Sequence, residues 1–124
     1  MSSRQRVWAS AAHNEILRFK DTPHEAKIAT LCMNTPSLIH QSGLAQALVF
    51  LQSRKEKDGQ RFIDAMTAVY LSAGLKLEKS CLVDEALTKD SLQGYMVLTS
   101  DISDVAAWMR RFAQIELKKQ DGGQ

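Results

Sequence analysis

The sequence predicts an all-α protein, a single compact bundle of about six helices, and three observations carry that prediction. Apolar residues recur at spacings of three and four along most of the chain, and no segment alternates with period two between hairpin turns. Thr22-Pro23 and Thr35-Pro36 both stand where a helix is expected to begin. With 124 residues, 44% hydrophobic and 24% charged, the chain can bury one core without disulfides or metals. One domain is therefore expected over residues 1–120, with Asp121-Gly122-Gly123-Gln124 as a tail that frays.

The first helix is expected from about Ser3 to Phe19, because Trp8, Ala12, Ile16 and Phe19 fall on one face. Thr22-Pro23-His24-Glu25 then reads as a helix start. Thr22 caps, Pro23 needs no N–H partner in the first turn, and Glu25 completes a capping box. This second helix is expected to reach about Met33, and Pro36 to start a third. Gly43 fits either a kink in that helix or a close backbone approach. From Leu44 to Leu51 the only polar residue is Gln46, which predicts a helix buried on most of its circumference, with the others packed around it. A charged run, Arg54-Lys55-Glu56-Lys57-Asp58, marks the return to the surface.

Asp58 is the expected cap of a fourth helix, whose core face is Phe62, Ile63, Met66, Val69, Tyr70 and Ala73, with Gly74 at its end. Leu82, Val83, Ala86 and Leu87 suggest a short fifth helix. The last is expected to begin near Asp90 and reach Lys118. Its predicted core face is Leu92, Tyr95, Met96, Thr99, Ile102, Val105, Met109 and Phe112, and Ser100 offers a cap for a break midway.

Composition narrows the function classes. The net charge of +2 is small, but nine basic and five acidic residues lie through Arg61, against seven and nine after it. The first half has a mild basic bias that suits a phosphate backbone, and equally suits a mixed solvated surface. Cys32 and Cys81 sit in apolar surroundings, as buried reduced thiols of a cytosolic protein would. The start of the chain has no apolar core of a signal peptide, and no run approaches the ~18 apolar residues of a membrane span. A cytoplasmic protein with no membrane partner is expected.

The motifs of enzymes are missing. There is no GxxxxGK[ST], HExxH, CxxC or nucleophile elbow. His13, His24 and His40 are dispersed. His24 and Glu25 are adjacent and so point apart on a helix, and Cys32 with His40 supplies only two of a zinc site's four donors. No catalytic residue, metal or cofactor is expected.

Basic side chains are the better candidates. Arg18 and Lys20 end the first helix, Arg54, Lys55, Lys57 and Arg61 cluster after the third, and Arg110 and Arg111 are neighbours on the last. Such groups hold phosphates without reading bases. Trp108 lies one step off the Val105–Met109–Phe112 stripe, where it either widens the core or anchors a neighbouring subunit.

The Pro36–Ile39–Gly43-Leu44–Gln46-Ala47-Leu48–Phe50–Ser53-Arg54 run resembles the central motif of the small subunit of the type III-B CRISPR Cmr complex, the fifth Cmr protein. Tyr95-Met96-Val97-Leu98-Thr99 and Ala107-Trp108-Met109-Arg110-Arg111-Phe112-Ala113 are similar to the family's Tyr-x-x-x-Thr and Trp-(Leu/Phe/Met)-(Lys/Arg)-Arg-Phe-Ala patterns, and Val7-Trp8-Ala9 fits its start. Thr35 departs, where the family often has leucine. The resemblance covers nearly the whole chain. It implies a non-catalytic, all-helical subunit of an RNA-guided, RNA-targeting antiviral complex. Copies of such a subunit stack head to tail beside the backbone subunit that carries the crRNA and cuts the target, and help form the channel for the guide–target RNA duplex. Its implied partners are other Cmr subunits, further copies of itself, crRNA and target RNA. Because head-to-tail contacts need partners to limit them, a monomer is expected in isolation. The alternative is a helical adaptor that touches only protein.

Overall fold

The computed structural model describes residues 2–118, and among these it has six helices and no strand. In order they are α1 (Ser3–Phe19), α2 (Glu25–Ser42), α3 (Leu44–Gln52), α4 (Asp58–Leu71), α5 (Leu82–Leu87) and α6 (Leu92–Glu116). The expected tail at 121–124 lies outside the described residues. No described helix is long and apolar enough to cross a membrane.

The first helix forms as its spacing predicts. Ser2 accepts a hydrogen bond from the Gln5 N–H, and Trp8, Ala12 and Ile16 are buried along one face. The expected capping box does not form: Glu25 accepts from the Asp21 N–H rather than from Thr22, Thr22 accepts from the His24 N–H, and His24 is the residue that precedes the helix. The helix itself begins two residues beyond Pro23, at Glu25. The other Glu25 oxygen accepts from the Lys118 N–H, joining this turn to the far end of the chain.

Pro36 does not start a helix. It lies inside α2, which runs unbroken from Glu25 to Ser42. Proline lacks the N–H that would reach the carbonyl four residues back, and flanking turns of a long helix absorb that single missing bond. The break comes at Gly43 instead, whose φ of 86° is the left-handed region that glycine adopts without penalty. There the chain leaves α2 and begins α3, and the Tyr95 hydroxyl accepts the N–H of Ala45 in the first turn of α3.

Two expectations about packing are overturned. Leu44, Ala47, Leu48 and Leu51 of α3 are buried, but Val49 and Phe50 are exposed, the latter at 52%. The helix is half-buried, and it packs on α2, α4 and α5. The central element is α6, which lies against α1, α2 and α4. It is continuous through Ser100, and its N-terminal cap is Ser91, which accepts from the Gly94 N–H. Its buried stripe is Leu98, Ile102, Val105, Ala106, Met109 and Ala113, so Leu92 and Met96, expected inside, face out at 75% and 61%. In these first turns the inward face runs through Tyr95, which packs on the core and meets Ala45 of α3, and it leaves Leu92 and Met96 outside.

Asp58 begins α4 but does not cap it, since its carboxylate is taken by other side chains. The loop from α4 to α5 is held by buried Glu85, which accepts from the N–H groups of Glu78 and Lys79 and from the Lys89 ammonium. Cys32 is fully buried, whereas Cys81 is only half-buried.

Candidate nucleic-acid interface

The eight basic candidates fall into three places. Arg18 and Arg61 line one cleft of about 390 Å³, formed by the end of α1, the turn between α1 and α2, and one side of α4. Lys57 and Arg61 border a neighbouring depression along α4 with Gln60 and Asp64. Arg110 and Arg111 line, with Pro36, Ala107 and Gln114, a groove of about 290 Å³ between α2 and α6. Lys20, Arg54 and Lys55 line none of these.

Carboxylates divide the eight again. Arg18 lies 3.5 Å from Glu15, Lys20 3.3 Å from Glu116, Arg54 3.9 Å from Glu56 and Arg61 2.9 Å from Asp58. Hydrogen bonds from His13 and Lys20 hold the Glu116 carboxyl below its ordinary range, and Lys27 does the same to Glu56. Both carboxylates are therefore charged at neutral pH and dilute the positive field beside them. By contrast Lys55, Lys57, Arg110 and Arg111 pair with no carboxylate among the described residues.

The Arg110–Arg111 groove is the most cationic of these surfaces. Arg111 sits 5.5 Å above the Trp108 ring, an arrangement that holds a guanidinium in place without neutralising it. Trp108 is half-buried, stacks near Phe112 and donates its indole N–H to Gln5 at 2.7 Å. Gln5 in turn donates to Asp104. A smaller depression of about 160 Å³, lined by these three residues with Ala107 and Arg111, adjoins the groove. Gln5, Asp104 and Gln114 were not singled out in the sequence, and Pro36 was read there only as a helix start and as part of the central motif. Asp104 and Gln114 stand seven and three residues from Arg111 on α6, a helical spacing that could have found them, whereas Gln5 and Pro36 reach the arginines only through the contacts of α1 and α2 with α6.

The family model described as CRISPR-associated protein (Cas_Cmr5) matches residues 4–116. The chain belongs to the Cmr5 family. A curated relative from Thermus thermophilus, the CRISPR system Cmr subunit Cmr5, is 27% identical over 114 residues, covering 92% of this chain and 96% of the relative. The X-ray crystal structure of a CRISPR-associated Cmr5 family protein from the same organism superposes with a TM-score of 0.82 at 25% identity, over 95% of this chain and all of that one. The matched span takes in the six helices, short only of Ser3, and every basic candidate of this Cmr5-family chain. It is thus a CRISPR-associated subunit of the Cmr system, with other Cmr subunits as its partners.

Proposed function

We propose that this protein is a non-catalytic small subunit of a type III-B CRISPR RNA-guided, RNA-targeting complex, stacking along the crRNA-bearing backbone and helping to hold the guide–target duplex in antiviral defence. Family membership supports the setting. The observation that carries the RNA role is the groove between α2 and α6, where Arg110 and Arg111 stand side by side without a carboxylate partner among the described residues. Two guanidiniums at such a groove bind backbone phosphates by charge and displace counterions, while base pairing between guide and target supplies sequence reading. Lys55 and Lys57 extend the cationic surface, and Lys20 and Arg54, shared with carboxylates, contribute less. Trp108 beside the groove is the proposed contact for a neighbouring subunit. The reading places the protein in the cytoplasm, without cofactor, as a monomer until it joins the complex.

In complexes reconstituted with Arg110→Ala and Arg111→Ala together, target-RNA affinity should fall and the log–log salt slope should become shallower by about 2. Unchanged affinity and slope would sink the RNA role. A second reading, an adaptor without RNA contact, is favoured by exposed Phe50, Leu92 and Met96. It expects assembly to fail when these become Ser while the arginine variants behave as wild type.

A further inference from the structure

The cleft that gathers Arg18 and Arg61 shares no residue with the Arg110–Arg111 groove, and its chemistry is different. On α1, Glu15, Arg18 and Phe19 form one stripe at spacings of three and one. On α4, Arg61, Asp64, Ala65 and Ala68 form another, and the two stripes face each other across the cleft. The half-buried Phe19 ring with Ala65 and Ala68 makes an apolar floor, and the charged groups make the rim. At about 390 Å³ the space falls within the range of small-ligand sites.

The rim is held from below. Asp58, with only 9% of its side chain exposed, accepts from Arg61 at 2.9 Å and lies 3.1 Å from His24 Nδ1. It fixes the directions of both while using one guanidinium nitrogen. Arg18 makes only a long contact to Glu15 and keeps its side chain 76% exposed. Most of the guanidinium donors therefore remain available to a ligand oxygen.

Charge decides what kind of ligand fits. Two arginines oppose Glu15 and Asp64 on the rim, with Asp58 beneath, so the cleft is not a site for a bare anion. It suits a molecule carrying an anionic group, a flat ring and N–H donors. We propose that this cleft binds a ribonucleotide, with its phosphate between Arg18 and Arg61, its base on the Phe19–Ala65–Ala68 floor, and its amino edge toward Glu15 and Asp64. Bases with an exocyclic amine are favoured over uracil, which has none. The nucleotide is either free or the end of an RNA strand.

The test is an NMR titration of the full chain with AMP, CMP, GMP, UMP, inorganic phosphate and a short 5′-phosphorylated oligoribonucleotide. CMP should shift the Thr22, Ala65 and Ala68 resonances saturably, and Arg18→Ala with Arg61→Ala should weaken it about tenfold or more while circular dichroism stays unchanged. Asp64→Asn should narrow the preference for CMP over UMP. An oligonucleotide that binds at the same resonances as tightly as CMP identifies an RNA end as the source. Binding of mononucleotide alone identifies the free species. No saturable shift with any nucleotide, phosphate binding as tightly as CMP, or full affinity in the double variant would overturn the proposal. Each of those results leaves the Arg110–Arg111 reading standing, because that one is measured in the assembled complex at another groove.

Discussion

Gly59 has an importance that nothing in its neighbours announces. A Cβ built there would lie 2.0 Å from the Leu51 backbone oxygen, so the first turn of α4 rests directly on the end of α3. Gly59→Ala should cost about 1–3 kcal/mol, read as a lower midpoint in urea, because a main-chain carbonyl cannot swing aside as a side chain can. An unchanged midpoint would mean that α3 and α4 are not so close. Gly43→Ala meets only the Tyr95 hydroxyl at 3.5 Å, and there the cost of about 1–2 kcal/mol comes from the left-handed backbone.

Glu85 carries a pH dependence. Burial pushes its carboxyl up, but the Lys79 N–H, the Lys89 ammonium and the Glu78 N–H outweigh that and hold it below the ordinary 4.5. A carboxylate favoured by the fold stabilises above its unfolded pKa, and that contribution is lost as pH falls through the lower folded value. Thermal melts should therefore fall off below pH about 4.5 and less steeply in Glu85→Gln, which starts from a lower midpoint at pH 7. Parallel curves would remove Glu85 from the acid response. The two thiols also separate. Burial pushes Cys32 up to about 12, so a maleimide at neutral pH should label half-buried Cys81 and reach Cys32 only in denaturant, as peptide mass spectrometry would show.

Among the elements, periodicity made α1, α4 and α5 legible, because each has a short, unambiguous apolar stripe bounded by turn residues. It misplaced the start of the third helix because proline is common in a first turn, and the sequence holds no mark of the tertiary packing that carries α2 past Pro36. It misread α3 because uniform apolarity does not say which side has a neighbour. The early turns of α6 were assigned the wrong face for the same reason. The basic residues of the candidate interface were readable as a list, but their division into a cleft and a groove depends on which helices meet. Pro36 offers a direct check. Pro36→Ala restores the missing helical bond and should raise stability by about 1 kcal/mol or more, seen as a higher thermal midpoint. A lower midpoint would show that the ring's own contacts in the groove outweigh the lost hydrogen bond.

For the molecule as a whole, surface apolar residues point to life inside an assembly. Phe50, Leu87, Leu92, Met96 and Val97 are all more than half exposed. Proposed stacking between copies is a heterologous contact, which leaves one face unsatisfied at each end. Light scattering of the isolated protein should then give the 13.9 kDa monomer at low concentration and a gradual rise with concentration. A stable symmetric dimer would contradict the proposed mode of assembly.

The position of α6 in the chain has a consequence for how the protein is made. The helix that α1, α2 and α4 all lean on follows the other five described helices in the chain, so it leaves the ribosome after them. Until it emerges, Trp8, Ile28 and Met66 have no complete interior to enter, and Glu25 has not met the Lys118 N–H. Synthesis at about 5–20 residues per second therefore leaves five helices waiting, open to proteases and chaperones, until α6 is clear of the exit tunnel. Nascent chains stalled before Leu92 should be digested readily, whereas chains stalled with Lys118 clear of the exit tunnel should resist.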